Sequence, residues 1–159
     1  MTETISRILV PVDFSPHADR GFRYGAALAQ RLGAKLALLH VVEDPFVTGA
    51  WNSEIVVANV PELLDNLMAD AHRRLAMLKE SAAAMGVTAE SAVVTGRPSQ
   101  AIIEHAIDGG FDLIVMGTHG RTGISHVVMG SVAERVLRKA PCPVLTVRAA
   151  DPHAKQAAA

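Results

Sequence analysis

Residues 7–16 read RILVPVDFSP, an apolar run that passes directly into a polar turn. Residues 8–12 are continuously apolar, which is typical of a β-strand that is covered on both faces of its sheet. Ser15 and Pro16 follow, and these are a helix-capping residue and the residue favoured at the first helical position. The stretch therefore predicts a buried strand that turns at once into a helix, which Gly33 ends.

The same unit of strand and helix recurs along the chain. Apolar runs predict further strands at residues 35–42, 92–95, 112–116 and 144–147, and helical spacing covers residues 64–85, 102–107 and 131–139. Because parallel strands need crossover helices, this alternation predicts an α/β, doubly wound fold, a single domain with a five-stranded parallel sheet flanked by about four helices. Ligands bind such sheets beyond the carboxyl ends of the strands, where the strand order reverses.

The predicted helix over residues 64–85 is amphipathic. One face is apolar, and the other carries Asp65, Asp70, Arg73 and Arg74, which we expect to face solvent. Residues 43–60 precede this helix and exceed the usual length of a structureless loop, so we expect a partly helical, mobile or functional segment there.

Composition narrows the class of protein. A chain of 159 residues, half of them hydrophobic, predicts one domain over residues 1–148, with residues 149–159 as a flexible tail. The formal net charge of −1 argues against a nucleic-acid scaffold. A single cysteine, Cys142, excludes an intrachain disulfide framework. No apolar run is long enough to span a membrane, and the first four residues do not begin a secretory signal, so we expect a cytoplasmic protein.

The densest functional signal lies between the fourth strand and the last helix. Residues 117–123 read GTHGRTG, and Gly130 and Ser131 complete the spacing G-x2-G-x9-G-S. Glycines let backbone N–H groups face a ligand, and a helix N-terminus adds donors and the positive end of its dipole. Ser131 can cap the helix or donate its hydroxyl to a phosphate, and Arg121 can add charge. The segment predicts a nest of amides for a polyphosphate between Met116 and Val132, although glycines that only shape a connection stay an alternative.

Other phosphate motifs are missing from the sequence. It contains no G-x4-G-K-[ST], and the first strand is followed by VDFS rather than by G-x-G-x-x-G.

The chain resembles the universal stress protein family over about residues 6–148. The resemblance rests on residues 117–131, together with residues 8–13, Val41, residues 112–116 and residues 143–147. In that family the G-x2-G-x9-G-[ST] spacing marks the ATP-binding branch.

The resemblance implies a Rossmann-like fold similar to that of the adenine nucleotide alpha hydrolases. It also implies that ATP binds with Mg²⁺ or Mn²⁺, and that this ion bridges the phosphates rather than lying in a protein cage. The nucleotide-binding residues that it implies are Pro11, Val12, Asp13, the backbone of Val41, Met116, Gly117, His119, Gly120, Arg121, Gly130, Ser131 and Val132.

Two of these residues have alternative roles. The carboxylate of Asp13 can accept hydrogen bonds from ribose hydroxyls or from a metal-bound water, or it can serve only the start of the first helix. The imidazole of His119 can donate to a phosphate, or it can be an ordinary loop side chain.

Efficient ATP hydrolysis needs a group that positions water, yet residues 117–131 contain no acid and no glutamine. We therefore expect no catalytic residue, but an ATP-binding regulatory stress-response protein, a switch or adaptor with an unknown protein partner and at most slow hydrolysis or autophosphorylation. Alternatives are a nucleotide-free interaction module and a receiver-like phosphoacceptor. The latter is disfavoured because Thr95-Gly96-Arg97 supplies no carboxylate after the third strand.

The last strand predicts the oligomeric state. Pro141 and Pro143 favour a place at a sheet edge, and residues 144–147 carry no charge that would discourage pairing. The simplest closed arrangement is a two-fold homodimer through Val144–Val147, which the resemblance also implies, although a tail that covers this edge stays an alternative.

Overall fold

The computed structural model describes residues 4–44, 47, 60–119 and 129–148. Within them, five strands alternate with four helices. The strands are β1 (Arg7–Pro11), β2 (Lys35–Glu43), β3 (Ala89–Gly96), β4 (Leu113–Gly117) and β5 (Val144–Val147). The helices are α1 (Pro16–Leu32), α2 (Val60–Ala84), α3 (Pro98–Asp108) and α4 (Ser131–Lys139). The predicted alternation is confirmed.

The sheet is parallel throughout, with the strand order β3-β2-β1-β4-β5. β1 lies at the centre, where Leu9 is in register with Ala37 of β2 and with Ile114 of β4. The chain builds outward from β1 to β3, then returns to add β4 and β5 on the other side. The strand order thus reverses between β1 and β4, where doubly wound sheets bind ligands.

Helices cover both faces of the sheet. On one face, Phe22 of α1 and Leu75 of α2 pack with Val10 of β1. On the other face, Ile102 of α3 and Val136 of α4 belong to a second apolar cluster. The side chains of β1 alternate between the two clusters, which explains why the first apolar run has no polar face.

Local signals set the ends of the elements. The Ser15 hydroxyl accepts a hydrogen bond from the Ala18 N–H at 3.2 Å, and Gly33 ends α1 with φ +65°, as predicted. β3 begins at Ala89, three residues earlier than predicted. The reason is that β3 is an edge strand whose early residues Glu90 and Ser91 are exposed, so no apolar run marks them.

Two predicted segments fall largely outside the described residues. These are the tail at residues 149–159 and most of the segment at residues 43–60. From the latter, the carbonyl of Val47 accepts a hydrogen bond from Arg97 Nε at 3.0 Å.

Among the helices of the described residues, none combines the length and apolar character that crossing a membrane requires.

Glycines bring α1 into contact with the sheet. A Cβ atom on Gly25 would lie 2.5 Å from Val10 Cγ2, and one on Gly21 would lie 2.9 Å from the backbone nitrogen of Gly117. A Cβ atom on Gly117 would in turn lie 2.6 Å from the His17 carbonyl oxygen. The first turns of α1 therefore lie directly against the end of β4.

We predict that Gly21→Ala lowers the free energy of unfolding by about 1–3 kcal/mol, because the added methyl group meets backbone that cannot move alone. Urea denaturation measures the change, and Gln30→Ala on the exposed face of α1 is the control. Alanine otherwise favours a helix interior over glycine by about 1 kcal/mol. A variant as stable as the parent would contradict the close packing.

A carboxylate ties the start of β1 to the start of β4. Asp112 Oδ2 accepts hydrogen bonds from the Ser6 N–H, the Ser6 hydroxyl and the Arg7 N–H, each at 2.8 Å. These bonds favour the charged form and hold the pKa of Asp112 below its ordinary value.

We expect Asp112→Asn to lower the free energy of unfolding by about 1 kcal/mol at pH 7, a modest value because solvent screens this half-buried site. The lowered pKa means that the carboxylate stabilises the fold fully above about pH 4 and loses this effect as pH falls through the lowered pKa. The gap between parent and variant should therefore close in acid, measured by urea denaturation from pH 7 to pH 2.5. Asp65→Asn, at an exposed position of α2, should show no such trend.

Candidate functional site

A cavity of about 400 Å³ opens at the carboxyl end of the sheet. Its walls come from the ends of β1, β2 and β4, the starts of α3 and α4, and one side of α2. This is the place where the strand order reverses, and the volume suits a small organic ligand.

The cavity collects most of the residues that the sequence singled out. Those that line it are Pro11, Val12, Asp13, Val41, Met116, Gly117, His119, Gly130, Ser131 and Val132. The remaining two, Gly120 and Arg121, lie outside the described residues. Residues from four separate parts of the chain therefore meet at one opening.

The start of α4 forms one end of the cavity. Gly130 is the N-cap, with φ −71° and ψ 154°, and as a glycine it has no side chain that could cap the helix. The capping role considered for Ser131 is therefore wrong, because Ser131 is the first helical residue and is exposed. The first-turn N–H groups of Ser131, Val132 and Ala133 have no partner within the helix, and they add to the positive end of the dipole. A helix terminus of this kind favours anions.

Other amides of this region are already used by the fold. The Gly130 N–H donates to the Thr118 carbonyl at 2.6 Å, and the Thr118 N–H donates to the Val147 carbonyl at 3.1 Å. Gly117 is required by its contact with His17, whether or not a ligand binds. The N–H groups of Thr118 and Gly130 are thus used within the fold, and the structural role considered for the glycines applies to Gly117. The nest as a whole stays a prediction, because residues 120–128 lie outside the described residues.

Asp13 lies in the turn between β1 and α1. Its Oδ1 accepts a hydrogen bond from the Ser15 N–H at 3.0 Å, and the half-buried side chain lines the cavity. The carboxylate therefore fixes the turn before α1, as one alternative expected. The position of Asp13 in the cavity wall is compatible with hydrogen bonds from ribose hydroxyls, and this role stays a prediction.

Aromatic rings line the cavity beside Asp13. Phe14 has φ +63°, a conformation that bulky residues rarely adopt, and its ring centroid lies 4.5 Å from that of His40. His40 is buried, and its Nδ1 lies 2.8 Å from the Val12 carbonyl oxygen, so Nδ1 is the donor. Phe14 was not predicted to line the cavity, because nothing in its residue type marks it as part of a ligand site.

The polar face of α2 supplies the last wall. Asp70 and Arg74 line the cavity, and both side chains are also about half exposed, so this face of α2 lies on the surface as predicted and borders the cavity as well. The guanidinium carbon of Arg74 lies 4.8 Å from the centroid of the Phe14 ring. Amphipathic spacing separates polar from apolar faces, but it does not distinguish bulk water from a cavity.

The charges around the cavity are unevenly distributed. Among the described lining residues, carboxylates belong to Asp13, Glu43 and Asp70, and the one guanidinium belongs to Arg74. No group of three or more His, Cys, Asp or Glu side chains within the described ranges has an arrangement that could hold a metal ion. A polyphosphate here would therefore need positive charge beyond that of the described wall.

Comparison with known proteins agrees with this architecture. A model of the universal stress protein family matches residues 4–148. Universal stress protein YxiE of Bacillus subtilis is 32% identical over 146 residues, which cover 90% of this chain and 99% of that protein. The solved structure of UspA from Lactobacillus plantarum has a TM-score of 0.82 at 30% identity, covering 92% of this chain and 100% of that chain.

A second solved structure contains a ligand. It is a universal stress protein from Archaeoglobus fulgidus in complex with dAMP, with a TM-score of 0.64 and coverage of 89% of this chain and 96% of that chain. At 23% identity it shows the fold alone. The doubly wound fold expected from the sequence is thus confirmed by both the topology and the solved structures.

Proposed function

This chain belongs to the universal stress protein family, and we propose that it is a member of the ATP-binding branch that acts as a nucleotide-dependent switch or adaptor. The observation that carries the proposal is the cavity itself. It lies where the strand order reverses, and ten of the twelve residues implied by the family resemblance line it.

The two ends of the cavity suit different parts of a nucleotide. The first-turn amides of α4 and the hydroxyl of Ser131 would hold phosphate oxygens, since a helix N-terminus favours anions. The carboxylate of Asp13 would accept hydrogen bonds from ribose, and the backbone of Val41 would meet the base. Gly120 and Arg121 complete the phosphate site in this proposal. The dAMP complex of the Archaeoglobus fulgidus protein shows that this fold can hold an adenylate.

A divalent ion fits the charge of this site. Three carboxylates and one guanidinium line the described wall, so the phosphates would add negative charge to a negative surround. Mg²⁺ or Mn²⁺ bound to the phosphates would neutralise this charge while keeping several of its waters. Asp13 would orient the ribose and would contact such an ion only through water.

The distribution of acids favours regulation over rapid hydrolysis. A positioned water at the terminal phosphate needs a group to orient it, and residues 117–131 contain no acid or glutamine. A bound nucleotide would instead connect the start of α4 with the turns after β1 and β2. Such a link changes the surface that a protein partner meets, which is how a nucleotide switch works.

We predict that ATP with Mg²⁺ binds the full chain and raises its melting temperature, and that Gly130→Val weakens binding at least tenfold in titration calorimetry. Valine can adopt the extended backbone of Gly130, so the variant should fold while its branched side chain obstructs the first-turn amides. Lys139→Val, exposed at the far end of α4, is the control and should bind like the parent.

Two results would contradict the proposed binding of ATP at this site. A ligand bound only by the folded state must raise stability. An unchanged melting temperature of the parent at millimolar ATP and Mg²⁺ would identify a nucleotide-free interaction module of the same fold. Equal binding heats for Gly130→Val and the parent would show that the α4 terminus does not hold the phosphates.

We also propose the two-fold homodimer through β5. In the observed sheet β5 is an edge strand, and Leu145 at its middle is 38% exposed. An uncharged edge of this kind offers unpaired backbone groups to a second copy.

Leu145→Lys should convert the dimer to a monomer in sedimentation velocity, because a charge at the centre of the joint strand pair would lose its water. Met77→Lys is the matched control, since Met77 is exposed on α2, which packs at the opposite end of the sheet. An unchanged dimer for Leu145→Lys would contradict pairing along β5.

A further inference from the structure

Arg74 is held in place at the cavity by two contacts. Its guanidinium carbon lies 4.8 Å from the centroid of the Phe14 ring, and its Nε lies 3.7 Å from Asp70 Oδ2. About half of the side chain, 51%, is exposed, and the residue lines the cavity. The guanidinium thus has one side on an aromatic ring and still has surface toward the opening.

The ring beneath Arg74 is itself fixed. The backbone of Phe14 has φ +63°, and its ring packs against that of His40, whose Nδ1–H is bonded to the Val12 carbonyl. A bulky residue keeps such a backbone conformation only where its surroundings determine it, and such residues cluster at ligand sites. His40, Phe14 and Arg74 therefore form a layered platform that is ordered before any ligand arrives.

The platform lies at the end of the cavity away from the phosphate site. His40 is in β2 and Phe14 follows β1, whereas the start of α4 follows β4, which lies on the other side of β1 from β2. The Val41 side chain packs on the opposite face of the sheet from Phe14, but its backbone, which is proposed to meet the base, directly follows His40 in β2. A group on the platform would therefore approach the base rather than the phosphates.

We infer that Arg74 is a specificity-determining residue that stacks on the purine ring of the bound nucleotide. A planar guanidinium attracts the face of an aromatic ring, and one already stacked on Phe14 loses little freedom when a second ring covers it. Asp70 offsets the charge of Arg74, so Arg74 contributes mainly through contact between its planar guanidinium and the purine ring rather than through net charge. This inference rests on the proposed function and adds the group that recognises the base.

The test compares two variants of the full chain, Arg74→Met and Arg74→Lys, with ATP and Mg²⁺ and with adenosine, which has no phosphates. Calorimetry and displacement should show that Arg74→Met weakens both ligands by a similar factor, about five- to tenfold. Arg74→Lys keeps the charge but lacks the planar group, so it should lose most of the same affinity.

Arg73→Met is the matched control. Arg73 bonds the same Asp70, with its Nη2 3.1 Å from Oδ1, but its side chain is 72% exposed and is not among the residues that line the cavity. It should bind both ligands like the parent. The melting temperatures of the variants without ligand show whether a variant has lost stability or only a contact with the ligand. If Arg74→Met is unstable, Arg74→Lys tests the inference.

Three results would overturn the inference. Parent-like affinity in both Arg74 variants would remove any role of Arg74 in binding. A loss for ATP with none for adenosine would assign Arg74 to the phosphates. A parent that binds neither ligand would refute the proposed function and this inference together. The other two results would leave the proposed function unaffected.

Discussion

The contact between the backbones of α1 and β4 determines where everything else in the site lies. No side chain separates Gly21 from Gly117, so the first turns of α1 rest on the end of the strand. The next residue, Thr118, then pairs with both Val147 and Gly130, which fixes the start of α4. The ends of β1, β2 and β4 consequently surround a single opening with a helix N-terminus on one side.

The parts of the fold that were predictable depend on local chemistry. Residues 8–12 are apolar because both faces of the central strand are buried, and Ser15 and Gly33 mark the ends of α1 by their own hydrogen bonds and backbone angles. The contacts of Gly21 and the cavity wall formed by Arg74 were not predictable. Both depend on which distant element packs against a helix, and neither leaves a pattern in neighbouring residues.

The candidate site, like the fold, was predictable only where a residue type carries a local signal. Gly130 and Ser131 stand out because a glycine and a small polar residue at a helix start have a physical use that spacing reveals. Phe14 and His40 do not stand out, since an aromatic residue and a histidine beside a strand are common in ordinary cores. Their positions in the cavity arise from the positive φ of Phe14 and from the bond between His40 and Val12.

The hydrogen bond between Gly130 and Thr118 holds the start of α4 to the residue that follows β4. Loop-closure entropy changes by only about 0.6 kcal/mol for each doubling of loop length. Residues between these two points, apart from Gly120 and Arg121 of the proposed phosphate site, can therefore change in sequence while the helix terminus stays in register with the strand. One scaffold can in this way acquire many recognition surfaces without rebuilding its core.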